Sequence, residues 1–218
     1  MFSAAHSTPT ILTLHPDPLV RSGIVASLRS HPGLDVIEAE ADNLEGRQVD
    51  VVIADDQQAM LLSSPEERAN RRQLARARIL VLTSNDREAA IRKAIEAGVA
   101  GYLLFGGPVS ELIEGVTIVA QGGRYLGRAV AQRMADSMTR TSLTCREADV
   151  LQFVVAGASN KIIARCLKIE VGTVKTHISA ILSKLNASSR TQAAAIAIAR
   201  GLVEDGQPAG LETSLQLA

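Results

Sequence analysis

Tryptophan is absent from this 218-residue chain, and three Phe and two Tyr are its only aromatic residues. Any core must therefore be filled by aliphatic side chains, which the 46% apolar content supplies. No stretch approaches the roughly 18 uninterrupted apolar residues of a membrane span. Residues 1–10 contain no Lys or Arg, so the charged start of a secretory signal is missing. The two cysteines, Cys145 and Cys166, lack CxxC and zinc spacing and form no disulfide framework. A cytoplasmic, reducing setting without membrane attachment is the expectation. No Ser/His/Asp order, paired carboxylates or phosphate loop is present; Gly106-Gly107 and Gly122-Gly123 read as turns. The chain is therefore expected to be no enzyme and to carry no cofactor and no metal.

Net charge is also absent, but the zero conceals an asymmetry. Residues 143–200 hold eight Lys+Arg against three Asp+Glu (+5), residues 1–142 hold fifteen against seventeen (−2), and 201–218 hold none against three (−3). A basic block in a neutral chain is the footprint of a nucleic-acid surface, although many solvated faces are basic too.

In the first half, strand-like and helix-like pieces alternate. Strand patterns fall at Thr10–Leu14, Leu34–Ala39, Asp50–Ala54, Arg78–Thr83 and Ala100–Leu104. Helical patterns fall at Val20–Leu28, Glu66–Arg76, Arg87–Ala97 and Val109–Ala120, with an irregular crossover expected between Ala39 and Asp50. The apolar runs DVVIA and RILVLT suit strands buried on both faces, so a parallel sheet covered by helices is expected. From Arg124 to Ser142 the chain reads as a polar helical linker.

Beyond Leu143 only helices are read. Thr144 and Glu147 have capping-box spacing, and a first helix runs to about Ala156, where Gly157 stops it. Ser159 caps a second, Asn160 to Leu167. The third, Val171 to Leu185, stacks Val174, Ile178, Ile181, Leu182 and Leu185 on one face at helical period. Its other face offers Thr176, Ser179, Ala180 and Ser183, with Lys175 and Lys184 on the shoulders and Thr173 near the start. That acid-free, small-residue face can enter a major groove about 12 Å wide. Lys161, Lys175 and Lys184 are placed to reach phosphate. Spacing alone also allows a plain helical bundle with a solvated face.

The segments LTCREADVL (Leu143–Leu151), GASNKIIARCL (Gly157–Leu167), GTVKTHISAILSKL (Gly172–Leu185) and SSRTQAAAIA (Ser188–Ala197) closely resemble the LuxR-type helix-turn-helix of NarL/FixJ-family response regulators. The resemblance implies that the third helix reads bases of double-stranded DNA, with Lys175, Thr176 and Ser179 at contact positions. Glu170 departs from the family's Ser or Thr cap, and Ser179 is shorter than the usual Lys or Asn. The fourth helix, Arg190 to about Arg200, is implied to pair two copies through Ala194, Ala195 and Ile198; packing inside its own domain is the alternative.

PLVRSG (Pro18–Gly23), DVVIAD (Asp50–Asp55), ILVLTS (Ile79–Ser84) and GYLL (Gly101–Leu104) resemble the same family's receiver domain. That domain phosphorylates an aspartate beside Mg²⁺, which is held by an acidic pair after the first strand, and a lysine after the fifth strand steadies the phosphoryl charge. Here Asp55 fills the acceptor position, but His15 and Pro16 replace the acidic pair, Asp17 falls one residue late, and Phe105 replaces the lysine. Thr83 and Tyr102 retain the switch hydroxyl and switch aromatic. The receiver is expected to be degenerate and not switched by aspartyl phosphorylation. Its crevice, lined by His15, Asp17, Asp55, Thr83 and Phe105, is where an open α/β sheet would take a small ligand; a protein partner is the other option.

The expected organisation is α/β. It comprises a tail (1–9), a (βα)5 receiver-like domain of CheY-like or flavodoxin-like form (10–121) and a helical linker (122–142). An all-α four-helix helix-turn-helix domain (143–203) and a flexible tail (204–218) follow. The expected function is an orphan transcription regulator that binds double-stranded DNA, acting as a homodimer. The alternatives are a conventional phosphorylation-activated regulator and a partner-binding protein with vestigial DNA binding.

Overall fold

The computed structural model describes residues 8–37, 44, 47–138 and 141–203. The chain forms two compact units, dividing at Met134/Ala135, with Arg87–Ala89 grouped with the second.

The first unit is a six-stranded parallel sheet in the order β2-β1-β3-β4-β5-β6. Its strands are β1 (Thr10–Leu14), β2 (Asp35–Ile37), β3 (Val51–Ala54), β4 (Arg78–Thr83), β5 (Gly101–Leu104) and β6 (Tyr125–Leu126). Its helices are α1 (Pro18–Arg29), α2 (Asp56–Ser63), α3 (Pro65–Asn70), α5 (Val109–Ala120) and most of α4 (Glu88–Glu96) and α6 (Arg128–Met138), the first two residues of α4 and the last four of α6 falling in the second. Period-two alternation sends side chains to two cores. Ile11, Val51, Ile53, Leu80 and Leu103 meet Ile24, Val25 and Leu28 of α1 and Val116 and Val119 of α5. On the other face Leu12, Val52, Ile79, Val81 and Tyr102 meet Ala59 and Leu62 of α2 and Ile91 and Ala94 of α4. All four β3 residues are buried, as a continuous apolar run in a central parallel strand requires.

Three features depart from the expectations. The helix read over Glu66–Arg76 is replaced by α3 and a short 3₁₀ turn at Arg72–Leu74, while α2 was not foreseen because its pattern, DQQAMLLS, is weakly amphipathic. The linker read from Gly122 onward contributes β6, paired with β5 through Gly101↔Tyr125 and Tyr102↔Leu126. Gly115 makes room for that strand: a Cβ there would lie 2.9 Å from the Tyr125 ring. Val130 of α6 is buried in the same core as β3, so this part of the presumed linker belongs to the first unit's packing. Of the crossover read between Ala39 and Asp50 only Leu44 and residues 47–50 are described, with Leu44 and Val49 buried in the core, and the tails at 1–7 and 204–218 lie outside the described residues.

The second unit consists of α7 (Cys145–Val155), α8 (Asn160–Leu167), α9 (Val171–Leu185) and α10 (Arg190–Arg200). Its core joins Val150, Leu151, Phe153 and Val154 to Ile163, Val174, Ile181, Leu185, Ala193 and Ala197. Among the described residues no helix is long and apolar enough to cross a membrane.

Candidate nucleic-acid interface and receiver crevice

The helix-turn-helix is built by its caps. The Thr144 hydroxyl accepts from Glu147 N, and Glu147 Oε2 accepts from Thr144 N (2.7 Å), a complete capping box on α7. Ser159 caps α8 by accepting from Ile162 N. Between α8 and α9, Lys168 takes a left-handed conformation, φ 53°, which turns the chain within three residues. Glu170 precedes α9 and makes no side-chain cap. The first amides of α9 thus lack a side-chain acceptor from the cap and point outward with the partial positive charge of a helix start.

Along α9, Val174, Ile181 and Leu185 are buried, while Thr173, Lys175, Thr176 and Ser179 are exposed together. Gly172, whose Cβ would meet nothing, keeps the entry to this face low. The Thr176 hydroxyl donates to Gly172 O (3.2 Å), and can also accept from a base or phosphate. Lys161 is exposed at the start of α8.

Lys184 requires correction. Its Nζ donates to Glu147 Oε2 at 2.6 Å, its side chain is only 22% exposed, and Glu147 is 5% exposed. It holds α9 against α7 and is not available to phosphate. Burial pushes the Glu147 carboxyl pKa up, but hydrogen bonds from Lys184 and Thr144, with the nearby positive charge, outweigh burial and hold it below the ordinary value. Arg146 donates to Leu167 O (2.6 Å) at the end of α8, and Arg190 donates to Ala158 O and Asn160 Oδ1. Much of the basic excess therefore serves the fold. Lys161, Lys168 and Lys175 remain exposed without a protein partner among the described residues. Lys168 was missed in the sequence because turn position alone gives it its exposure.

On α10, Ala193 and Ala197 are buried, and Ala194 packs partly against the same core. Ala194 therefore faces largely inward. Ala195 is exposed and Ile198 is 47% exposed, leaving these two on the outward face.

The receiver crevice is occupied by its own hydrogen bonds. Asp17 caps α1: Oδ1 accepts from Leu19 N (2.8 Å) and Val20 N (3.4 Å). His15 Nδ1 accepts from Asp17 N (3.1 Å), and its ring meets Phe105 edge-on at 5.8 Å. Asp55 follows β3 and caps α2 directly, its Oδ1 accepting from Gln58 N (2.7 Å). The carboxylate that reaches the switch position belongs instead to Asp56. Its Oδ1 accepts from Thr83 Oγ1 (2.9 Å) and its Oδ2 from Asn85 Nδ2 (2.8 Å). Thr83 Oγ1 in turn accepts from Asn85 N (3.1 Å), and the buried Tyr102 hydroxyl donates to Asn85 O (2.8 Å). Burial, reinforced by the charges of Asp56 and Asp86, raises the Tyr102 pKa, so it stays a donor. Among the described residues no group of three His, Cys, Asp or Glu is arranged to hold a metal. Asp56 and Asn85 were not assigned in the sequence; the register opposing Ala54 to Val81 points to Asp56, since it places this residue level with Thr83.

This network gives a stability prediction. Asp56→Ala removes the acceptor of the buried Thr83 hydroxyl, at a cost of about 1–3 kcal/mol. Asp55→Ala removes one helix cap, at about 1 kcal/mol. Urea midpoints of the two variants should fall in that order; the reverse order would put Asp55 at the centre of the crevice.

Residues 141–197 match the model of the family described as bacterial regulatory proteins, luxR family. The chain is 32% identical over 207 residues to the transcriptional regulatory protein LiaR of Bacillus subtilis, spanning 88% of this chain and 98% of that one. It is 33% identical over 196 residues to the nitrate/nitrite response regulator protein NarP of Escherichia coli, spanning 84% and 91%. Among solved structures, the RcsB response regulator of Salmonella typhimurium matches with a TM-score of 0.65 at 20% identity, covering 86% of this chain and 98% of that one, a likeness of fold. With matches spanning both units, the chain belongs to the LuxR family of bacterial response regulators, DNA-binding transcriptional regulators that are not enzymes.

Proposed function

We propose that this regulator binds its operator as a homodimer in the cytoplasm and does so independently of aspartyl phosphorylation. The observation that carries the second part is the use of the crevice carboxylates. Asp17 and Asp55 cap helices, Asp56 is held by Thr83 and Asn85, and Phe105 stands where a cation would have to meet phosphate. Placing Mg²⁺ there would require dismantling two helix caps and supplying oxygen ligands that His15 and Pro16 do not offer. Asp55→Ala is the test: DNA affinity and promoter activity should stay unchanged. A large loss of either in a folded variant would overturn the reading.

Thr173, Lys175, Thr176 and Ser179 on α9 are assigned to the major groove, and Lys161 and Lys168 to phosphate. Ala195 and Ile198 supply the contact between two copies, which sets half-sites about 10 base pairs apart or a multiple of it. A solved structure of similar fold, two RcsB dimers bound to two parallel DNAs, supports binding in pairs. Ile198→Asp should abolish pairing in sedimentation on operator DNA while leaving a single half-site bound. Intact pairing would remove α10 from the interface.

A further inference from the structure

The first unit contains an apolar cleft that shares Phe105 with the crevice but none of its hydrogen-bonded carboxylates. It has a volume of about 290 Å³ and lies between α1, the carboxyl end of β5 and the start of α5. Val20, Ile24, Leu82, Leu103, Phe105 and Leu112 form its walls. Its surroundings are apolar as well: Phe105 is 40% exposed, Val109 is exposed, and Leu19, beside Val20, is 84% exposed.

Two details point to an occupant. Gly23 sits in the middle of α1, where glycine costs about 0.5–1 kcal/mol relative to alanine. A Cβ there would meet nothing within 4 Å, so packing inside this chain does not demand glycine. The space above it is left open beside the cleft. The second detail is Glu111, the one ionisable group in the lining. Its Oε1 accepts from Arg128 N (2.7 Å), whereas no donor among the described residues reaches Oε2. Ser27, the one side-chain hydroxyl of the lining, already donates to Gly23 O (2.8 Å).

We infer that this cleft binds a small, uncharged molecule with an aromatic or alicyclic body and a hydrogen-bond donor, the body lying on Phe105 and Leu103 and the donor meeting Glu111 Oε2. The volume stands at the lower end of small-molecule sites and is too small for a partner helix. A carboxylate and the lack of any lining cation exclude phosphate and other anions. The inference rests on the reading that the receiver does not take a phosphoryl group, since it gives the domain a different input.

N-phenyl-1-naphthylamine, a neutral aromatic amine whose emission rises in apolar surroundings, tests this on the full chain. Saturable binding is expected, weakened at least tenfold in Gly23→Leu, which fills the opening while improving helix propensity. Phe105→Ala should weaken it several-fold. Leu61→Ser, in the separate apolar groove between α2 and α4, should leave it unchanged. Absence of saturable binding, binding indifferent to Gly23→Leu and Phe105→Ala, or loss through Leu61→Ser would each overturn the assignment. Sedimentation of the free protein adds one more overturning result: a dimer that takes up the probe only on dissociation, meaning that a second copy covers this face. Operator affinity of the same variants without probe reads the DNA-binding assignment separately, and it should not change.

Discussion

Lys184→Met is expected to destabilise the helix-turn-helix unit by about 1–3 kcal/mol, the cost of removing the charged partner from a carboxylate that keeps only its bond from Thr144 N. Glu147 is held by Lys184 Nζ and by the amide of Thr144, and the variant removes the only positive charge among those partners. The pH dependence fixes the sign. Because the folded-state pKa of Glu147 lies below its ordinary value, the ionised group contributes fully above the ordinary carboxylate range. That contribution is lost as pH falls through the depressed folded value. In Lys184→Met burial is no longer offset and holds the carboxyl above its ordinary value, so the penalty should be full near neutral pH and shrink as pH falls through that raised value. Urea unfolding followed by far-UV circular dichroism, with hydrogen exchange of the α7 and α9 amides, measures it. A variant as stable as the parent but weaker on DNA would return Lys184 to the phosphate contacts.

Lys175→Ala should weaken operator binding by roughly 1–3 kcal/mol, about fivefold to more than a hundredfold, if its ammonium meets a base edge. It is exposed on α9 beside Thr176 and Ser179 and has no protein partner among the described residues, so it has no folding role there. Stability should therefore be unchanged. Lys161→Ala and Lys168→Ala should instead lower affinity evenly across sequences and each reduce the salt slope by about one unit, as loss of a phosphate contact does. Fluorescence anisotropy on operator and scrambled duplexes over a salt series separates the two classes. Unchanged affinity in Lys175→Ala would remove it from the site.

The helical unit was legible almost to the residue because its signals are local. Thr144 and Glu147, Ser159, and the stacking of Val174, Ile181 and Leu185 each act within a few positions. What was not legible depends on distant partners. Lys184 lies on a shoulder of α9 by periodicity, and only the arrival of Glu147, 37 residues earlier, turns it inward. Ala194 could not be distinguished from Ala195 until the bundle chose which flank of α10 to bury. In the receiver-like unit the strands were read from their apolar runs. The hidden features were α2, whose stability comes from the Asp55 cap and the burial of Ala59 and Leu62, and β6, a two-residue strand secured by pairing with β5. The departures from the receiver pattern at His15, Pro16 and Phe105 were visible in the sequence, whereas the network of Asp56, Thr83, Asn85 and Tyr102 required the strand register.

The central claim is that DNA binding does not wait for a phosphoryl group. The most direct measurement is operator affinity of the untreated protein, repeated with Mg²⁺ and beryllofluoride. Tight, salt-dependent binding that the mimic leaves unchanged is the predicted result. Weak binding that the mimic strengthens tenfold or more would mean that Asp17, Asp55 and Asp56 give up their caps and hydrogen bonds to build a metal site, and would contradict the account.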